Sequence, residues 1–176
     1  KRKLAKMPLI RMDSKYFDFS NFTTNTLDGN NCFAYACKSK DINLIQLICD
    51  HPLFTEQMFT SHDALGIPCI YHAILNGDES SEYILNHKYC NNIILKESYI
   101  ILLSKEYDTM KALLYILKSA LCSSELLKLT NTDGNNCLSV AIKNNNTALI
   151  ENILSSKHFT KEIFMQLNNN GDTCFF

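Results

Sequence analysis

A chain of 176 residues, 46% of them hydrophobic and 20% charged, has a globular composition and is long enough for one core or one short repeat array. Lys plus Arg number 17 and Asp plus Glu 18, and the net charge of −1 excludes the broad basic field that nucleic acid or an anionic lipid surface would require. The longest apolar runs, such as Ile100 to Leu103, are far short of the roughly 20 residues that cross a bilayer, so no membrane insertion is expected.

The opening KRKLAKMP lacks the apolar segment of a signal peptide, and Lys1-Arg2-Lys3 reads as a solvated basic end rather than a targeting signal. Leu4 to Phe22 fits the back half of a unit that then recurs. The pentapeptide DGNNC occurs at 28–32 and again at 133–137, and each Gly of the series 29, 66, 134, 171 is followed three residues later by Cys32, Cys69, Cys137 or Cys174. The spacing from Gly29 to Gly66 and from Gly134 to Gly171 is 37 residues. Ala36, Ala73 and Ala141 follow their cysteines at a fixed distance, Ser104 holds the same place in a weak copy, and the step from 73 to 104 shows a shortened unit. The chain divides accordingly into 1–25 (a partial unit), 26–62, 63–95 (shortened), 96–130 (degenerate), 131–167 and 168–176 (the start of another), and is expected to be a fragment of a longer protein.

In the first full unit, Phe33, Ala36 and Cys37 fall on one face of a helix opened by the Asp28-Gly29 turn. Lys40-Asp41 closes that helix and opens a second one, with Asp41 as N-cap and Leu44, Ile45, Leu47 and Ile48 as its buried stripe. The same break is Gly77-Asp78, Asp108-Thr109 and Asn145-Asn146 in the later units, since Gly and Asn tolerate the left-handed backbone that ends a helix and Asp, Thr and Asn cap the next. A trailing Phe-x4-Phe element recurs as Phe17/Phe22, Phe54/Phe59 and Phe159/Phe164. Thr55 with Glu56 and Thr160 with Glu162 mark it as a short capped helix in two of the copies. The shortened unit, ending in Tyr89-Cys90-Asn91-Asn92, lacks the pair. The degenerate unit has Lys96-Glu97-Ser98 in place of the turn, but keeps the apolar second helix of Met110, Leu113, Leu114, Ile116 and Leu117.

The eight cysteines, at 32, 37, 49, 69, 90, 122, 137 and 174, form no CxxC pair, and no His falls at zinc-finger spacing. Equivalent positions in stacked helices lie about 8–10 Å apart, too far for a shared metal or a disulfide, so the cysteines read as reduced packing groups. Cys69 with His72 and His62, and Cys49 with His51, are close Cys/His neighbours, but bare pairs without an oxyanion-hole turn or an orienting acid are a weak signal for catalysis. No phosphate-cradling glycine motif is present. No cofactor and no catalytic residue are expected within this segment.

The units resemble ankyrin repeats, whose pattern runs Asp-x-x-Gly-x-Thr-Pro-Leu-His-x-Ala-Ala over about 33 residues. Gly171-Asp172-Thr173-Cys174-Phe175, Gly134-Asn135-Asn136-Cys137-Leu138 with Ala141, and Gly29-Asn30-Asn31-Cys32-Phe33 with Ala36 carry the resemblance. Cys stands where the family has Pro, and the usual His is Ala34, Tyr71 or Ser139, which weakens the expected hydrogen bonding that ties neighbouring turns together. The resemblance implies an all-α solenoid of stacked helix-turn-helix units with an extra short helix per unit. It further implies a monomeric, cytoplasmic module that binds a partner protein through turn tips and first-helix faces. On that reading the contact residues are Asp28, Asn30 and Lys38; Leu65, Ile67, Leu75 and Asn76; and Asp133, Asn135, Lys143 and Asn144. Arrays of this kind are familiar in effectors of intracellular bacteria, placed in the host cytosol, and in large DNA viruses. The alternative is a substrate-positioning arm of an effector enzyme whose catalytic domain lies outside the segment.

Overall fold

The computed structural model describes residues 30–105 and 109–174. Asp28, Gly29, the Phe17/Phe22 pair and Asp108 lie outside them. The described residues form eleven α-helices and no strand, with a single antiparallel bridge between His62 and Pro68. The fold class is all-α, as the sequence indicates.

Longer helices come in pairs: α1 (Cys32–Ser39) with α2 (Ile42–Cys49), α4 (Cys69–Leu75) with α5 (Glu79–Asn86), α6 (Asn92–Leu103) with α7 (Met110–Lys118), and α9 (Cys137–Lys143) with α10 (Thr147–Leu154). Three short helices, α3 (Glu56–Phe59), α8 (Ser124–Leu127) and α11 (Lys161–Phe164), follow α2, α7 and α10. The leading helices touch in the order α1, α4, α6, and the trailing helices in the order α2, α5, α7, α10.

Each pair is punctuated by the residues that the sequence marks. Lys40, Gly77 and Asn145 hold φ of 61°, 60° and 52°. Asp41, Asp78 and Asn146 then cap the next helix with side-chain oxygens that accept from its first N–H groups. At Thr109 the expected cap does not form: its hydroxyl donates to the Lys105 carbonyl at 3.0 Å instead. Gly77 is required for a second reason, because a Cβ there would sit 2.5 Å from Lys111 Cβ at the start of α7. Gly77→Ala should therefore cost about 3 kcal/mol, the left-handed strain plus displacement of α7, whereas Lys40→Gly should gain up to about 1 kcal/mol. Urea unfolding of both variants checks the pair, and a Gly77→Ala cost below that of Gly66→Ala, where nothing lies within 4 Å, would contradict it.

Two departures stand out. The chain through Lys96-Glu97-Ser98 does not turn but stays inside α6, a 12-residue helix that spans the expected 95/96 boundary. A capped short helix also follows α7, where no Phe pair announces it. Cys122 and Leu127 occupy the places of Phe159 and Phe164, both buried, and Ser123 accepts from Leu126 N–H.

The Phe-x4-Phe pairs take one geometry, with ring centroids 6.5 Å apart at 81° for Phe54/Phe59 and 6.2 Å at 82° for Phe159/Phe164. Phe33 of α1 joins the first pair at 5.1 and 5.7 Å, and His87 stacks on Phe59 at 4.8 Å and 13°.

Candidate interaction surface

Ahead of α4, ahead of α9 and at the end of the described chain, the backbone makes the same tight turn. Asp63, Asn131 and Asn168 open it. The side-chain Oδ1 of each accepts from the N–H groups two and four residues on, at 2.9 and 3.0 Å, 3.0 and 3.0 Å, and 2.9 and 3.0 Å. The Gly three residues on donates to the opening residue's carbonyl, and the opening N–H donates to the carbonyl four residues on. This is an Asx-anchored turn, with Gly66, Gly134 and Gly171 at φ of 74°, 81° and 83°. At Gly134 a side chain is also excluded by space, since a Cβ would lie 2.7 Å from the Asn169 nitrogen of the next turn.

The turns are tied to their neighbours by the residues that follow them. Asn31 and Asn136 cap α1 and α9, and their amide groups reach forward, Asn31 Nδ2 to Ser61 Oγ at 2.7 Å and Asn136 Nδ2 to the Ile163 carbonyl at 2.8 Å. The N-cap asparagine thus ties the head of its own unit to the segment that leads into the next turn, where the sequence, lacking the family's His, predicts weakened ties. Behind it, Cys137 and Cys174 sulfurs point back to the Leu127 and Phe164 carbonyls.

At the first of these turns the anchor is charged. The Asp63 side chain is fully enclosed and accepts from Lys38 Nζ at 2.8 Å and His72 Nε2 at 2.9 Å, besides the two N–H groups. Burial alone would push its carboxyl up, but the Lys38 ammonium, the Ile67 and Leu65 N–H groups and the His72 ring together hold it well below the usual carboxylate range. Asp63 is thus a carboxylate that fastens α1 and α4 to one turn. Next to it, His62 Nε2 meets Glu97 Oε2 at 3.0 Å, linking the turn to α6.

The expected contact residues fall into three groups. Around Asp63, Lys38 donates to Asn30 Oδ1 at 3.1 Å and Asn30 is buried. Ile67 is half-buried against the core, while Leu65 stands 81% exposed at the turn tip. Asp133, Asn135 and Lys143 line one cleft of ≈ 590 Å³ between the last two turns, together with Asn168 and Asp172. Leu75, Asn76 and Asn144 line a separate cleft of ≈ 660 Å³ with Lys40 and Lys111. Asp28 lies outside the described residues. What the sequence reading passed over is the anchor itself: Asp63, Asn131 and Asn168 each stand three residues before a repeated Gly, visible once the turns are aligned.

Burial sets the state of the thiols. Burial pushes Cys49 and Cys90 up to about 12 and Cys32 and Cys137 up to about 11, so they stay protonated at neutral pH. Cys69 is fully buried and raised by burial, and the nearby His72 is committed to Asp63. Cys32 is half-buried rather than enclosed. Among the described residues no three His, Cys, Asp or Glu side chains are placed to hold a metal, and no helix is long and apolar enough to cross a membrane.

Neither the models of known protein families nor the curated proteins contain a match to this chain.

Proposed function

We propose that the chain is a divergent ankyrin-like array that serves as a protein-interaction module, presenting its turn tips and leading helices to a partner protein. One observation carries this reading: the same Asx-anchored turn is built three times while the residues at its tip change, from Ala64-Leu65 to Thr132-Asp133 to Asn169-Asn170. A fixed frame with variable tips along one edge is how stacked repeats make a recognition surface. Leu65 fits that role, since a large apolar side chain at the end of a rigid turn gains by being covered. In this reading the chain recognises rather than catalyses, acts as a monomer in the cytoplasm, and uses its cysteines for packing alone.

Substituting the exposed tip tests it. Leu65→Asp should leave urea unfolding within about 0.5 kcal/mol of the parent and weaken co-purification of the partner from cells by roughly tenfold or more. Leu154→Asp, at the partly exposed last residue of α10, should leave co-purification intact. Loss with Leu154→Asp but not with Leu65→Asp would reject the tip edge. Ile67 is the poorer probe, because its contacts with the core would confound binding with folding.

A further inference from the structure

Between α2 and α5 lies a cleft of ≈ 830 Å³ that the turn tips do not reach. Its shape follows from the shortened unit. A short helix follows α2, α7 and α10, but after α5 the chain runs directly through 87–91 into α6. His87 and Tyr89 fill part of that space, His87 stacked on Phe59 and Tyr89 leaning on Phe54 at 6.2 Å. The result is a floor of aromatic rings, with Tyr83 and Tyr89 half-buried in it.

The rim is acidic. Asp50, Glu79 and Glu82 line the cleft, against Lys88 as its one Lys or Arg among the described residues. Asp50 accepts from Tyr83 Oη at 3.0 Å, whereas neither Glu79 nor Glu82 enters an ion pair among the described residues. The His87 ring, held below its ordinary range by burial and by Lys88, adds no positive charge at pH 7. With a net charge of only −1 over the whole chain, this is a local concentration of negative potential. The chain itself shows what the rings accept: Lys88 Nζ sits 4.9 Å over the centroid of Tyr89.

We propose that the α2/α5 cleft is a second binding surface and that its occupant is a basic segment of a partner protein. A Lys or Arg side chain of that segment lies against the tyrosine floor, paired with Glu79 and Glu82, and competes with Lys88 for the face of Tyr89. This surface is independent of the turn tips and can fail or stand without them.

A short, capped, fluorescent peptide of alternating glycine and arginine, followed by anisotropy at low salt, tests the assignment, with a glycine–glutamate peptide as comparison. The arginine peptide should bind. Glu79→Gln combined with Glu82→Gln should weaken it roughly tenfold, and Lys88→Ala should strengthen it several-fold. Glu125→Gln with Glu151→Gln, the same charge change elsewhere, and Leu65→Asp at the tip should leave binding unchanged. No binding of the arginine peptide, preference for the glutamate peptide, equal weakening by both glutamate pairs, or loss with Leu65→Asp would each overturn the proposal.

Discussion

Phe59→Ala should lower the stability of the chain by about 3–5 kcal/mol, a large part of the roughly 5–15 kcal/mol that holds a typical domain folded. Phe59 is fully enclosed beside the rings of Phe33, Phe54, His87 and Tyr89, so its removal leaves a cavity lined by four rings, from α1 and from the segments that follow α2 and α5. The matching substitution Phe164→Ala should cost about 2 kcal/mol, because the same pair geometry there leaves Phe164 half-buried. Urea unfolding of the two variants measures the difference. Equal costs would mean that the ring cluster at Phe59 is not the centre of the core.

Asp63→Ala should cost about 3 kcal/mol, and Asp63→Asn about 1 kcal/mol. The alanine removes both functions of the side chain, the anchor of the turn and the counter-charge of Lys38 and His72. The asparagine keeps the anchor, as Asn131 and Asn168 do in the other two turns, and loses only the charge. The larger figure stands at the low end for a broken buried pair because the Lys38 side chain is 33% exposed and can be partly rehydrated. The pH dependence has a definite sign. Since the folded-state pKa of Asp63 lies below its unfolded value of about 4, its contribution is complete above that value and is lost as pH falls through it toward the folded pKa. The acid limb of the stability curve should therefore be shallower in Asp63→Asn than in the parent. A parallel limb, with the two substitutions equally costly, would remove the ion pairs from the account.

These two sites show what the sequence made legible. The Phe-x4-Phe spacing, the helix breaks at Lys40, Gly77 and Asn145, and the caps at Asp41, Asp78 and Asn146 depend on local rules, and each is found in its expected place. Local rules also foreshadowed the missing turn at Lys96-Glu97-Ser98. That a helix would replace it depends on the company α6 keeps, with Leu95, Tyr99, Leu102 and Leu103 all buried along one face. The short helix α8 escaped because its place-holders are Cys122 and Leu127 instead of Phe, although Ser123 and Glu125 repeat the cap and acid of α3; at α11 the expected Thr160 cap does not form.

The contact surface was less legible, for a physical reason. Position in a repeat says which side a residue faces, but not whether a neighbour will occupy it. Asn30 and Lys38 are engaged with each other, and the carboxylate that engages Lys38 comes from Asp63, in the following turn. Leu75 and Asn76 lie in a cleft away from Leu65 and Ile67 because α4 carries them to its opposite end. Nor could the acidic, ring-floored cleft be seen in advance, since it is created by residues that the shortened unit lacks.

The most direct test of the recognition edge is site-specific photo-crosslinking in cells. A photoreactive side chain placed at Leu65, or at Asn170 on the last turn, should capture the same partner protein. The same group at Leu154 on α10 should capture none. Crosslinks that form at Leu154 and are absent at both tips would contradict the central claim.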